Sequence, residues 1–276
     1  MMRFPRILVI GATGRIGGIL RRCWPAGQIQ WQSRAEQAGA GWTVLDPLGD
    51  PQALAEATKG VDSVLCLAGV TPAGAARGGH MDDNTGLALA TIRAAAATGT
   101  RVLLASSAAV YGSQTGVLTE DLAPTPLSDY GRAKARMEAE GLGLGEKSGV
   151  PVTALRIGNV AGVDAILGGW RPGFALDRFA DGRTPRRSYI GPVTLARVLG
   201  DLAAVPNLPP ILNVAAPGVV EMGALLDAAG LAWTPRDAPQ TAIAQVCLST
   251  TALEAVTSFA DADSTPAAMV AEWRSL

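Results

Sequence analysis

In the stretch LSDYGRAKARMEAE (127–140), Tyr130 precedes Lys134 by four residues. On a helix this spacing stacks a phenol and an ammonium one turn apart on one face. Arg132 and Arg136 already give the segment positive charge, so Lys134 is not needed for that purpose. Two readings stand. A tyrosine beside a basic residue is ordinary helix decoration. It is also proton-transfer machinery, because a free phenol with a pKa of about 10 is a poor base at neutral pH unless cations lie close to it. The choice depends on what the rest of the chain supplies.

The chain supplies a glycine loop. Gly11, Gly14 and Gly17 give G-x-x-G-x-x-G, with Thr13, Arg15 and Ile16 between them, directly after the apolar run RILVI (6–10) and before ILRRCW. Such glycines let the backbone turn sharply and approach a pyrophosphate, which the free N–H groups of the helix start then bind. In sites for NAD, the second strand ends in an acid that grips the ribose 2′-hydroxyl, about 20 residues further on. This chain has Gln32, Ser33 and Arg34 there. A hydroxyl and a guanidinium suit a 2′-phosphate, so NADP is expected ahead of NAD. Asp46, at the end of a third strand, is placed to accept a hydrogen bond from the adenine amino group.

The elements that must carry these residues are legible from periodicity. Strands are expected at 6–10, 28–32, 41–46, 61–69, 101–112, 151–162 and 211–216, several of them continuously apolar as strands buried on both faces should be. Helices are expected after the glycine loop, at 51–60, at 84–98, through the Tyr/Lys segment and at 221–231. Strands alternating with helices imply a parallel sheet with right-handed crossovers, hence an α/β, doubly wound (Rossmann) fold. Residues 1–162 are expected to form the NAD(P)-binding domain, and 163–276 mostly a small substrate-binding annex, with the strand near 211–216 returning to the sheet.

Composition excludes other classes. The 276 residues are 48% hydrophobic and 17% charged, with a net charge of −1 and no Lys/Arg stripe, so nucleic acid is not an expected partner. Cys23, Cys66 and Cys247 show no paired spacing and His80 is the only histidine, which disfavours a disulfide framework, a metal site and a histidine-based triad. No apolar run of about 18 residues suggests a membrane span. The amino-terminal segment lacks the pattern of a secretion signal, so the cytoplasm is the expected compartment.

Together, GATGRIG, LAG (67–69), SSAAVYG (106–112), YGRAK (130–134) and LRIGNVAG (155–162) make the sequence resemble the extended short-chain dehydrogenase/reductases, the NAD(P)-dependent epimerase/dehydratase family. The resemblance implies that Tyr130 is a general acid/base on a substrate oxygen. It implies that Lys134 lowers the phenol's pKa and binds the nicotinamide ribose, and that Ser107 bonds the same substrate oxygen. Ser106 is disfavoured because strand alternation points it the other way. Leu67, Ala68 and Gly69 join the loop residues as cofactor contacts. Asn84 is either a support for the active-site helix or a simple helix cap. Asn159 and Arg187 fall where relatives contact substrate, Arg187 within RRSYIGPVTLAR (186–197). In that segment Gly191, Pro192 and Thr194 replace the family's usual His, Val and Asp.

The function expected on this basis is hydride transfer between NAD(P) and a sugar-like or other hydroxyl/keto small molecule, with an anionic or phosphorylated sugar preferred because of Arg187. A homodimer is compatible with this reading. The competing class is a non-catalytic NADP-sensing regulator or scaffold, in which the tyrosine or lysine is typically lost.

Overall fold

The computed structural model describes residues 4–276; the first three residues, part of the segment read above for a secretion signal, lie outside the described residues. Seven strands form one parallel sheet: β1 (Ile7–Ile10), β2 (Ile29–Ser33), β3 (Trp42–Val44), β4 (Ser63–Cys66), β5 (Arg101–Ser107), β6 (Val152–Ile157) and β7 (Ile211–Val214). Their order is β7-β6-β5-β4-β1-β2-β3. The chain runs outward from β1 to β3, then crosses back to β4 and proceeds the other way. The reversal opens a crevice at the carboxyl ends of β1 and β4, where sheets of this kind bind ligands.

Both faces of the sheet are covered, which is why β1 and β4 are buried along their whole length. The helices α1 (Arg15–Cys23) and α5 (Pro192–Ala204) pack on one face against Ile7, Val9, Leu65, Leu103 and Leu155. On the other, α2 (Pro51–Ala57), α3 (Asp83–Ala96) and α4 (Asp129–Ser148) cover Leu8, Ile10, Val64, Val102 and Leu104. Period-2 alternation along each strand thus feeds two separate cores.

Several elements end earlier than periodicity suggests. The run expected as a strand over 101–112 stops at Ser107, whose Oγ accepts the Ala109 N–H at 3.2 Å and caps a 3₁₀ turn over Ala108–Tyr111. The strand expected over 151–162 breaks at Gly158, where a Cβ would come within 2.6 Å of the Ser188 carbonyl oxygen.

A second, four-stranded sheet joins Val117–Leu118, from between β5 and β6, to Gln245–Leu248, Arg186–Arg187 and Val220–Glu221. The last helix, α6 (Pro266–Arg274), lays Glu272 across the start of α5. One carboxylate oxygen accepts the Val193 and Thr194 N–H groups at 2.8 and 2.9 Å, and the other accepts the Thr194 hydroxyl at 2.6 Å. A Cβ at residue 191 would run into that carboxylate. The departures at 191 and 194 are therefore paired with a helix cap supplied from 78 residues away.

Candidate active site

The glycine loop takes its shape from contacts that only glycine permits. Gly11 has φ +81°, and a Cβ there would lie 2.7 Å from the Ala68 backbone. Gly17 sits flush against the Ala12 backbone, so its work is helix–strand packing. Gly14 opens α1 as its N-cap, with only the Gly11 carbonyl near the place of a Cβ. The free N–H groups at that helix start are what an anion would meet.

A cleft of about 310 Å³ runs over this loop, lined by Gly11, Thr13, Gly14, Ser33, Arg34 and Asp46 on one side and Leu67, Ala68 and Gly69 on the other. Ile16 instead packs into the core, and Arg15 reaches sideways to donate a hydrogen bond to the Val163 carbonyl. Arg34 and Asp46 are exposed, and Ser33 is buried with its hydroxyl bonded to the Ala35 carbonyl. Asp46 lies two residues past the end of β3 and accepts the Leu48 N–H at 3.2 Å. Asn84, fully buried, clasps the loop after β4: it accepts the Val70 N–H at 3.2 Å and donates to the Val70 carbonyl at 3.1 Å. It is thus neither exposed nor a cap of its own helix.

A second cleft of about 300 Å³ adjoins the carboxyl ends of β5 and β6, lined by Ser107, Asn159, Arg187, Leu127, Ile243 and Val246. Arg187 donates to the Arg186 carbonyl at 2.8 Å and the Ile243 carbonyl at 2.9 Å, and burial pushes its pKa down from the usual arginine value. Asn159 pairs in register with Tyr189, whose hydroxyl donates to Asp164 at 2.6 Å. Of the other arginines between 168 and 190, Arg171 bonds only its neighbour's carbonyl, and Arg178 and Arg183 are exposed.

Tyr130 and Lys134 stand in the first two turns of α4, whose N-cap Ser128 accepts the Gly131 N–H at 3.0 Å. Gly131 is required here because a Cβ would meet the Ala109 carbonyl at 2.5 Å. Lys134 is 4% exposed; its Nζ donates to the Ala105 carbonyl at 2.7 Å and lies 5.9 Å from the centre of the Tyr130 ring. It also lies 3.2 Å from where a Cβ on Gly69 would be, against the wall of the first cleft. Burial lowers its pKa to about 8, with Cys66 and Glu138 opposing. Burial raises the Tyr130 phenol above its ordinary value, while the Ser107 hydroxyl and then the Arg15 charge pull it back. The pair therefore lies between the two clefts, Lys134 beside Gly69 of the first and Tyr130 beside Ser107 of the second. Ser106 faces away and donates to Glu138.

Among the described residues no helix is long and apolar enough to cross a membrane, and no group of three or more His, Cys, Asp or Glu could hold a metal ion.

Residues 7–169 match the model of the NAD dependent epimerase/dehydratase family. Among solved structures, MoeE5 with UDP-glucuronic acid and NAD is 23% identical with a TM-score of 0.74, the alignment covering 98% of this chain and 99% of that one. The UDP-glucose 4-epimerase of Thermus thermophilus with NAD is 20% identical, with a TM-score of 0.74 and the same coverage. The UDP-N-acetylglucosamine 4-epimerase of Methanobrevibacter ruminantium with UDP-N-acetylmuramic acid is 20% identical, with a TM-score of 0.77 and 99% of each chain covered. At these identities the likeness establishes the fold. No curated protein matches the chain. The family model, spanning more than half the sequence, carries the assignment: this chain belongs to the NAD dependent epimerase/dehydratase family of enzymes.

Proposed function

We propose that the protein performs hydride transfer between a nicotinamide dinucleotide and a sugar-like hydroxyl or keto substrate, with Tyr130 as general acid/base. The observation that carries this is the placement of one side-chain pair between Gly69, in the wall of one cleft, and Ser107, in the wall of the other. The bound dinucleotide would supply the hydride chemistry. Gly11, Thr13 and Gly14 bind its phosphates, Asp46 its adenine, and Lys134 its nicotinamide ribose. On the other side, Ser107 and Tyr130 hold one substrate oxygen, and Tyr130 gives or takes the proton there. Asn159 and Arg187 orient the remainder of the substrate. Residues 163–276, apart from α5 and β7, which belong to the main sheet and its cover, are assigned mostly to substrate binding.

The family is NAD dependent by description, and the named relatives with a stated dinucleotide hold NAD, so NAD is no longer the less suited cofactor. Support for NADP now rests on Arg34 and on the lack of a carboxylate at the end of β2. The nucleotide sugars bound by the neighbours make UDP-sugars the first substrates to offer, and they satisfy the expectation of an anionic sugar. The test is mass spectrometry of the purified protein for retained dinucleotide, followed by NMR of those sugars after incubation. An epimer or dehydrated product without net reduction of the dinucleotide supports epimerase or dehydratase chemistry, and stoichiometric reduction or oxidation supports a dehydrogenase. No dinucleotide binding in any redox form would overturn the proposal.

A further inference from the structure

Beneath the two clefts lies a buried ionic cluster that none of the roles above uses. Glu138 and Arg156 are 2% and 1% exposed. Arg156 Nη2 donates to Glu138 Oε2 at 2.9 Å, and its Nε lies 3.2 Å from each carboxylate oxygen. Ser106 donates to the same carboxylate. The guanidinium is also held from behind: Nη1 donates to the Glu120 carbonyl at 3.3 Å, and its carbon sits 4.7 Å over the Tyr111 ring. Tyr111 in turn donates to Asn213 of β7 at 2.8 Å.

Structural glue is one account of this cluster. It is a weak one, because desolvation of a buried pair commonly offsets its attraction. The location of Glu138 says more. It follows Lys134 by four residues on α4, the spacing at which a carboxylate and an ammonium pair along a helix. Yet Lys134 forms no ion pair among the described residues; its Nζ bonds the Ala105 carbonyl and contacts the Met137 sulfur at 3.8 Å. The groups facing it are Tyr130 and Glu138 from its own helix, Cys66 from β4, Asn84 from α3 and the Ala105 carbonyl from β5. Only Glu138 among them is a carboxylate, and Arg156 occupies it.

We propose that Arg156 is a positioning residue for Lys134: by engaging both oxygens of Glu138 it denies the lysine its nearest counter-ion, leaving the ammonium uncommitted on the side of Gly69 and Tyr130. A lysine locked to Glu138 would be drawn down the helix, away from the first cleft. The low pKa of Lys134 fits this arrangement, since Glu138 opposes the effect of burial without cancelling it. The functional meaning rests on the reading of Tyr130 and Lys134 as the acid/base pair; the arrangement of charges does not.

The chain has three lysines, Lys59, Lys134 and Lys147, and the other two are exposed. Labelling with [ε-¹³C]lysine therefore gives three resonances, and the titration of Lys134 can be followed without substrate or dinucleotide. Arg156→Met frees Glu138 and should raise the Lys134 midpoint by about one pH unit or more. The double variant Arg156→Met/Glu138→Gln removes both charges and should return the midpoint to within about half a unit of the parent. An unchanged midpoint in folded Arg156→Met overturns the proposal. So does a fall of a unit or more in the double variant, which would mean that Glu138 had served Lys134 all along. If the single variant fails to fold, the double variant still decides, because it leaves no unpaired buried charge. Full turnover in Tyr130→Phe would sink the catalytic reading and leave this charge arrangement standing.

Discussion

Gln32 holds Gly11 in place: its Oε1 accepts the Gly11 N–H at 2.9 Å, while its Nε2 donates to the Leu45 carbonyl at 2.8 Å. Both ends of the amide are spent on backbone, tying the glycine loop to the segment after β3. The end of β2 thus serves the loop's shape, and under the proposed function recognition of the adenosine ribose falls to Arg34 and its neighbour Ser33. If Arg34 meets a 2′-phosphate, Arg34→Ala should weaken NADPH binding by roughly 1–3 kcal/mol, the scale of a charge-assisted hydrogen bond, and leave NADH unaffected. Calorimetric titration of both cofactors measures this. Tighter NADH than NADPH in the parent would remove the case for NADP.

Tyr130→Phe should retain dinucleotide affinity and lose at least ~10²-fold in turnover, as expected when a positioned proton donor is removed. The comparison requires both numbers from one preparation. Near-parental turnover would take Tyr130 out of the mechanism.

Arg187→Ala should raise KM for an anionic sugar substrate while dinucleotide affinity stays constant. Because Arg187 also ties the Arg186 and Ile243 carbonyls, thermal unfolding should be measured alongside. A KM unchanged in a folded variant means that the substrate's charge is read elsewhere.

Lys134 gives a signed pH dependence. Its pKa falls from the ordinary lysine value of 10.5 to about 8 on folding, so between those values the unfolded chain binds the extra proton and stability rises with pH. Relative to Lys134→Met, the parent should gain on the order of 2–3 kcal/mol as pH goes from below 8 to above 10. Urea unfolding of both proteins across that range tests it. Parallel curves would show that the lysine keeps its ordinary pKa when folded.

Glu272→Ala should destabilise the fold by about 1–2 kcal/mol, the cost of leaving a helix start without its cap. Glu272→Gln should recover part of that. Equal stability of all three proteins in urea would mean that water replaces the carboxylate without loss.

What the sequence disclosed follows how far apart the partners lie. The glycine loop and the Tyr/Lys pair are legible because each is a spacing within one turn or one loop. The strands were readable because both faces are buried, although Gly158 and the Ser107 cap cut two of them short through contacts that no local pattern announces. Glu138, Arg156 and Glu272 were missed because their partners lie 18 and 78 residues away. One signal was present: Arg156 sits in the apolar run VTALRI, and a charge inside a strand buried on both faces demands a partner. That partner, Glu138, follows Lys134 at helical spacing on α4.

The last strand of the main sheet, β7, seals the open edge of β6 from more than fifty residues downstream. During synthesis β6 therefore emerges with unpaired backbone groups and waits for its neighbour, on the order of 3–10 s at ordinary elongation rates. An edge of this kind invites pairing with another nascent chain. Fragments that end between Ile157 and Ile211 should accordingly accumulate in inclusion bodies, while one carried through Val214 should yield more material in the supernatant. For this protein the order in which the ribosome delivers its strands is itself a hazard, and overexpression in a host slowed by low temperature would lengthen the exposure.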